Sequence, residues 1–193
     1  PQATAYKLAS FRMDDETIAA GLLHDVPEDT EVDLRDIKKE FGSEIAQLVE
    51  GVTKLGQLKY RGMQRYVENL RRMFVAMAKD VRVIVIKFAD RMHNLETLAA
   101  LPPEKQRRIA LESLEIYAPI ANRLGMHSVY VGLEDLGFKA LYPMRYRAIK
   151  SAVEKARGNR RELTQTIEKD LQNALQQLNI PYEQVFGRQK HLY

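Results

Sequence analysis

The chain of 193 residues contains no cysteine. That absence excludes a disulfide framework, a cysteine-ligated zinc site and a thiol nucleophile, and it is typical of proteins in the reducing cytosol, where we expect this one. No apolar run reaches the roughly 18 residues of a membrane-spanning helix, so we expect no membrane partner. No signal-peptide pattern is present and the first residue is not Met, which suggests a start inside a longer protein.

Aromatic residues are also scarce, at 8% of the chain, and no RNA-binding aromatic motif occurs among them. A dedicated nucleic-acid platform is therefore disfavoured. The charge balance is mildly basic, with 30 Lys and Arg against 26 Asp and Glu. A solvated basic surface and an anionic ligand such as a nucleotide would both fit this excess, and composition leaves the two open.

The hydrophobic pattern has a helical period along most of the chain. Asp14 or Asp15 is a suitable N-cap for one helix, and Pro103 suits the first turn of another. The run Val81–Ile86 is rich in β-branched residues, which favours a strand. It continues without a turn residue into a helical pattern ending at Leu95, so we predict a single buried helix instead. Pro119 is expected to kink the helix that begins at Pro103.

The C-terminal part changes character. Pro143 opens a long charged helical stretch that runs to about Leu178 and is interrupted or bent at Gly158. Residues 180–187 then have the pattern of a turn followed by a strand. A strand after so many helices suggests a second domain that begins here and is cut off.

The sharpest chemical feature lies in the segment 22–30, which reads LLHDVPEDT. His24 and Asp25 together offer an imidazole and a carboxylate, a good pair of ligands for a divalent transition metal or Mg²⁺. Glu28 and Asp29 follow at a spacing of four and would share a face with that pair on an unbroken helix. His-Asp pairs are common, however, and the two later carboxylates equally fit a solvated helix end.

A second segment, 87–98, reads KFADRMHNLETL and places polar side chains at the end of a hydrophobic helix. Asp90 and Asn94 lie one turn apart on one face. A charged carboxylate at the end of a buried run costs several kcal/mol unless it is paired or bound to a metal. A structural salt bridge from Asp90 to Arg91 or Lys87 is the alternative interpretation.

These segments, taken in order, resemble the hydrolase domain of RelA/SpoT homologues, a branch of the HD superfamily. Glu50–Leu55 (EGVTKL) and Glu115–Ala121 (EIYAPIA) resemble the same domain, and Gly187–Tyr193 (GRQKHLY) resembles the opening of the family's synthetase domain. The resemblance covers essentially the whole chain. It implies an all-α HD hydrolase domain at 1–142, a region of long linker helices at 143–179, and the truncated start of an α/β synthetase domain at 180–193.

The resemblance also implies an activity: removal of the 3′-pyrophosphate from ppGpp or pppGpp with Mn²⁺, or another divalent metal, as cofactor. The matching residues fall into three groups, namely the metal ligands His24, Asp25 and Asp90, the water-handling acids Glu28 and Asp29, and the nucleotide contacts Asn94 and Thr97. Two nearby basic residues, Lys54 and Arg91, are predicted to face the phosphates. Expected partners are the guanine nucleotide, the synthetase and regulatory domains of the same chain, and the ribosome through C-terminal regions.

Some positions depart from the family pattern. The family has a further metal-binding His in a His-Pro pair, and Pro1 has the position of the second member, so the predicted ligand set is incomplete. Pro27 replaces an aliphatic residue and is expected to kink or end its helix, which weakens the spacing argument for Glu28 and Asp29. Glu96 stands where the family often has Arg, and Asn122 where it often has His.

Two other functions remain as alternatives. In the first, a catalytically weak or regulatory HD domain is attached to a GTP pyrophosphokinase, with Pro27 and Glu96 as signs of decay. In the second, a helical scaffold binds nucleic acid or the ribosome, which predicts clustered basic residues and no group of carboxylates. The intact Asp25, Glu28, Asp29, Asp90 and Asn94 argue against decay.

Overall fold

The structure, a computed structural model, describes residues 1–56, 71, 73–157 and 160–185. All regular structure in these ranges is helical, which confirms the predicted all-α fold. The N-terminal unit, Pro1–Leu141, contains α1 (Gln2–Ser10), α2 (Asp15–Leu23), α3 (Val26–Asp29), α4 (Leu34–Phe41), α5 (Ser43–Gly56), α6 (Arg82–Glu96), α7 (Pro103–Glu112), α8 (Ala118–Arg123) and α9 (His127–Leu141). The second unit, Tyr142–Tyr193, contains α10 (Pro143–Arg157) and α11 (Arg160–Gln177). Within the described ranges, none of the helices has the length and apolar character needed to cross a bilayer.

Helix α2 begins and ends where the sequence predicts. The Asp14 carboxylate accepts a hydrogen bond of 2.8 Å from the backbone N–H of Thr17, which satisfies one of the free donors of the first turn. The helix ends at Leu23, four residues before Pro27, whose ring nitrogen cannot donate to that carbonyl. Residues Val26–Asp29 form the separate short helix α3. The unbroken helix needed for a common face of His24, Asp25, Glu28 and Asp29 is therefore absent.

Helix α6 passes through the middle of the N-terminal unit, where it packs against α1, α2, α5 and α9. The predicted helix over Val81–Ile86 is confirmed, because this stretch forms the start of α6 and not a strand. Ile84, Ile86 and Phe88 have no exposed surface. Burying such a side chain contributes about 1.5–3 kcal/mol, so packing outweighs the modest β-propensity of this run. Asp90 follows directly on the buried stretch.

The helix expected from Pro103 to Arg123 consists of two α-helices joined by a wider turn. Residues Ser113–Tyr117 form a π-helical turn between α7 and α8. Pro119 follows it, and a proline ring clashes with the carbonyl four residues earlier, here that of Glu115. The predicted distortion thus takes the form of a π turn on the N-terminal side of the proline.

The second unit departs from the sequence expectation at its end. Asn179 has a positive φ of 50°, and the N–H of Ile180 donates to the carbonyl of Leu175, which together cap α11. Residues 180–185 contain no strand, so the predicted strand is wrong over this part. The remainder of that strand, Gly158 and the synthetase motif Gly187–Tyr193 lie outside the described residues.

One arginine anchors the start of α6 to two other elements. Arg82 forms ion pairs with Asp80 at 2.7 Å, Glu44 at 2.8 Å and Asp14 at 3.4 Å. Asp80 also accepts a 2.9 Å hydrogen bond from the backbone N–H of Arg82. The hydrogen bonds from Arg82 hold the pKa of Asp80 below its usual value, although partial burial acts in the opposite direction.

Replacing this carboxylate is expected to destabilise the fold in a pH-dependent way. Because the pKa of Asp80 is depressed on folding, its contribution is present above its ordinary pKa and is lost as the pH falls through the folded value. Asp80→Asn should lower the free energy of unfolding by about 1–2 kcal/mol at pH 7 and by less near pH 3. Urea unfolding at both pH values measures this, with the exposed Asp170→Asn as control. An equal loss at the two pH values would contradict the assignment.

Candidate active site

The centre of the site is the side chain of His24, at the C-terminal end of α2. It is 2% exposed, and its Nδ1 lies 2.8 Å from the carbonyl oxygen of Gly21. A carbonyl can only accept, so Nδ1 carries the proton and Nε2 of the neutral ring presents a lone pair. Gly21 also allows close packing of α1, since a Cβ there would lie 2.3 Å from Cδ1 of Leu8.

The Nε2 atom of His24 faces two carboxylates. It lies 3.0 Å from Oδ1 of Asp25 and 3.7 Å from Oδ1 of Asp90, and neither contact has hydrogen-bond geometry. Although burial opposes a charge on the ring, these carboxylates outweigh it and raise the pKa of His24. A buried nitrogen that faces two anions requires a positive charge between them, either a proton or a metal ion.

Asp90 is held on both of its oxygens. Oδ1 accepts a 3.0 Å hydrogen bond from Nδ2 of Asn94, and Oδ2 lies 3.5 Å from Nζ of Lys87. Burial by itself would raise the pKa of Asp90, but His24 and Lys87, with a smaller contribution from Arg91, hold it at about 2. The carboxylate is therefore ionised, and its Oδ1 is directed toward His24.

These donors suit a divalent transition metal. A neutral imidazole whose other nitrogen is fixed by a carbonyl, together with two carboxylates, is a common set of ligands and supporting contacts. The partnerless Nε2 of His24 is the observation that fits the metal expected from the sequence. Within the described ranges no three His, Asp or Glu side chains form a complete metal cage as they stand. His24, Asp25 and Asp90 thus supply only part of the donors that a metal site would need.

Glu28 and Asp29 lie on α3, directly after Asp25. The backbone N–H groups of both residues donate to the carbonyl of Asp25, at 3.0 and 2.9 Å. Both side chains are exposed. The turn ties the two acids to the residue beside His24, in spite of the helix break at Pro27, but their roles stay predictions.

Asn94 and Thr97 differ in what they contact. Asn94 donates to Asp90, so its side chain supports the predicted metal ligand as well as being available to a nucleotide. The hydroxyl of Thr97 donates at 3.0 Å to the carbonyl of His93, and its side chain is exposed at the end of α6. The support that Asn94 gives Asp90 is consistent with the spacing of four between them, although the sequence interpretation assigned Asn94 to the nucleotide alone.

Arg91 is engaged elsewhere. Its guanidinium forms hydrogen bonds of 3.3 and 3.4 Å with the Glu112 carboxylate and lies 4.5 Å above the ring of Tyr117. The π turn at Ser113–Tyr117 carries that ring. In this arrangement Arg91 joins α6 to the α7 region, and the contacts of its guanidinium are to Glu112 and Tyr117.

Lys54 lies on α5, where its ammonium pairs with Glu50 on the same helix. Both residues line a cavity of about 590 Å³ between α5 and the helical residues 73–79. Lys79 and Arg71 add positive charge to the lining, and Val83 belongs to its apolar wall. No contact in the described part of the chain joins Lys54 to His24, so its predicted role is untested.

Sequence reasoning missed several contacts that join distant parts of the chain. The carbonyl of Gly21 orients the ring of His24, and no side chain signals this. Lys7 pairs with Glu96 at 2.7 Å across 89 residues, which gives the Glu at this position a structural partner on α1. The ion pair of Asp90 with Lys87, by contrast, is one of the alternatives that the sequence offers, and it is present at 3.5 Å.

Comparison with known proteins gives the family. Residues 1–127 match the model of the HD domain family. The whole chain is 53% identical to the bifunctional (p)ppGpp synthase/hydrolase SpoT of Escherichia coli strain K12, of which it covers 28%. It is 47% identical to the guanosine-3′,5′-bis(diphosphate) 3′-pyrophosphohydrolase of Haemophilus influenzae, again covering 28%. It is 46% identical to the GTP pyrophosphokinase of Streptomyces coelicolor, covering 23%.

The chain thus spans about a quarter of the length of these relatives. The family match includes α1, α2 and α6, the helices that bring together His24, Asp25 and Asp90. HD hydrolase domains are metal-dependent, in agreement with the partnerless nitrogen at this place. On the match over residues 1–127, this chain belongs to the HD domain family.

Proposed function

We propose that the protein hydrolyses the 3′-pyrophosphate of ppGpp and pppGpp, giving GDP or GTP and pyrophosphate. The observation that carries the proposal is the buried Nε2 of His24, which faces the carboxylates of Asp25 and Asp90 without a hydrogen-bond partner. The names of the relatives give the same reaction for those proteins, and for this chain we propose a role in control of the stringent response.

His24, Asp25 and Asp90 would hold a divalent cation, for which we propose Mn²⁺. A cation there would lower the pKa of a bound water and offset phosphate charge. The carbonyl of Gly21 keeps the His24 proton on Nδ1, so that the lone pair of Nε2 stays available to a metal ion. Asn94 keeps Oδ1 of Asp90 directed toward His24.

Glu28 and Asp29 would orient the attacking water and accept its proton. Their attachment to the turn after Asp25 and their exposure support this role. Asn94 and Thr97, at the end of α6, remain the proposed nucleotide contacts. Lys54 and Arg91 remain proposed phosphate contacts, although each is now paired with a carboxylate.

The proposal extends to the longer protein to which this chain corresponds in its relatives. We propose a cytoplasmic protein with synthetase and regulatory domains in the same chain, and ribosome association through C-terminal regions. One relative is named a GTP pyrophosphokinase, which keeps a regulatory, catalytically weak HD domain as the second candidate. The ionised, oriented Asp90 favours the active hydrolase.

The ligand roles predict loss of activity in isosteric variants. Asp25→Asn and Asp90→Asn keep the side-chain shape but remove the negative charge that holds the cation. In the full-length protein each should reduce Mn²⁺-dependent pyrophosphate release from ppGpp by more than about a hundredfold. Asp170→Asn, at an exposed position on α11, is the control. Near-normal turnover in either site variant would remove that residue from the ligand set.

The two acids of α3 should behave differently from the ligands. Glu28→Gln combined with Asp29→Asn is expected to slow kcat by roughly 10²–10⁴-fold, the usual contribution of general acid–base catalysis, and to leave Mn²⁺ affinity largely unchanged. Glu31→Gln is a matched control, because Glu31 is an exposed acid just beyond the same helix. Normal kcat in the double variant would exclude the pair from the mechanism.

The roles of Asn94 and Thr97 can be distinguished by the Mn²⁺ affinity of their alanine variants. Asn94→Ala removes the donor to Asp90, so it should weaken Mn²⁺ binding by about 10–100-fold and also raise KM. Thr97→Ala removes hydroxyl bonds to the backbone carbonyls of His93 and Asn94 and none to Asp90, so it should raise KM without changing Mn²⁺ affinity. Calorimetric titration with Mn²⁺, beside steady-state kinetics, measures both. Equal Mn²⁺ affinities in the two variants would contradict the supporting role of Asn94.

A further inference from the structure

Lys87 lies on α6, one turn before Asp90. Its side chain is only 12% exposed, less than that of Asp90 at 17%. It follows Ile84 and Ile86, which are fully buried, so the helix carries this lysine stem into the protein interior. Lysine is rarely so buried unless it is paired, which makes its partners informative.

The ammonium group of Lys87 has few partners for a group so deeply placed. Among the described residues it has one ion pair, to Oδ2 of Asp90 at 3.5 Å, and no hydrogen bond. An ammonium has three donors, and buried donors without partners cost several kcal/mol. Within the same residues, Nε2 of His24 is the one side-chain nitrogen or oxygen that has neither solvent-accessible surface nor a hydrogen-bond partner. Nζ of Lys87 is not in this class although it has no hydrogen bond there, so Nζ keeps some solvent-accessible surface.

The ion pair of Lys87 with Asp90, at 3.5 Å, is longer than a charge-assisted hydrogen bond. Charge-assisted N–H···O bonds are typically about 2.7–2.9 Å. Lys7 and Glu96 reach 2.7 Å in the same unit, even though Glu96 is 42% exposed. Lys87 therefore forms a long ion pair with Asp90 and no hydrogen bond within the described residues, which leaves donors of its ammonium group for a further acceptor.

The charge balance of the site favours a further positive group beside the metal position. The carboxylates of Asp25, Asp90, Glu28 and Asp29 together carry four negative charges at neutral pH, and one divalent cation offsets two of them. A nucleotide with several phosphates would meet a net negative site. Arg91 and Lys54 already pair with Glu112 and Glu50, respectively. Within the described residues, Lys87 is the cation that forms an ion pair with Asp90 and has no hydrogen bond of its own.

We propose that the ammonium group of Lys87 binds a phosphate oxygen of the pyrophosphate group that is hydrolysed. Lys87 is thus a further substrate-contacting residue of this site, one that recognises a nucleoside pyrophosphate. The inference rests on the proposed function for the identity of the nucleotide. It requires no change in the position of Asp90, since Oδ1 still faces His24 while Oδ2 faces Lys87.

The test compares Lys87→Met with Lys87→Arg in the full-length protein, with the exposed Lys139→Met as a matched control for the loss of one positive charge. Binding of ppGpp is titrated in EDTA, where no metal-dependent hydrolysis occurs. A nucleotide site elsewhere in the protein contributes equally to all variants, so the difference isolates this contact. Mn²⁺ affinity and the thermal midpoint are measured in parallel.

Lys87→Met should weaken ppGpp binding by roughly tenfold or more, the usual effect of losing one charge-assisted hydrogen bond. Its Mn²⁺ affinity should be equal to or tighter than that of the wild type, because a positive charge beside Asp90 has been removed. Lys87→Arg should recover most of the ppGpp affinity, and Lys139→Met should match the wild type. If Lys87→Met lowers the thermal midpoint, Lys87→Gln, which keeps a donor without the charge, is compared in the same way.

Unchanged ppGpp affinity in Lys87→Met, or weaker Mn²⁺ binding with unchanged ppGpp affinity, would overturn the proposal and leave Lys87 a positioning residue. Failure of the proposed function gives a different result. In that case the wild type would bind ppGpp in a Lys87-dependent manner but release no pyrophosphate when Mn²⁺ is present.

Discussion

The structure depends on one buried imidazole nitrogen that faces two carboxylates. The lone pair of Nε2 is fixed in direction, because the carbonyl of Gly21 accepts a hydrogen bond from Nδ1 of the same ring. The ring is also buried, since His24 is only 2% exposed. Asp25 follows in the chain, and Asp90 arrives from a different helix. Such an arrangement is stable only with a positive charge at its centre. A proton can supply that charge. A divalent cation can also supply it, and would in addition lower the pKa of a bound water.

The fold holds this arrangement in place from several sides. α6 brings Asp90 to His24 as the continuation of a fully buried helix, and the ion pairs of Arg82 fix where that helix begins. Beyond Asp90, Arg91 fastens α6 to Glu112 and to Tyr117 on the π turn. The carboxylate of Asp90 therefore lies between two structural arginine contacts. The acids proposed to handle the attacking water, Glu28 and Asp29, lie instead on a short exposed helix.

Much of this could be predicted from the sequence, and the reasons are local. The cap at Asp14, the helix break before Pro27 and the helical course of Val81–Ile86 follow from hydrogen-bonding capacity, ring geometry and periodicity. The meeting of His24 with Asp90 was expected only through the family resemblance. The partners of Arg91 and Glu96 lie 21 and 89 residues away, beyond any local pattern. The predicted strand after Ile180 was wrong as far as Val185, because a β-strand needs a partner strand and the described residues contain none.

The central claim is that His24, Asp25 and Asp90 share one metal ion. Anomalous X-ray diffraction from crystals of the full-length protein grown with Mn²⁺ tests it most directly. The account predicts a single anomalous peak within about 2.0–2.3 Å of Nε2 of His24 and of a carboxylate oxygen from each aspartate. A Mn²⁺ peak bound at other residues, with Nε2 of His24 still without a ligand, would contradict it.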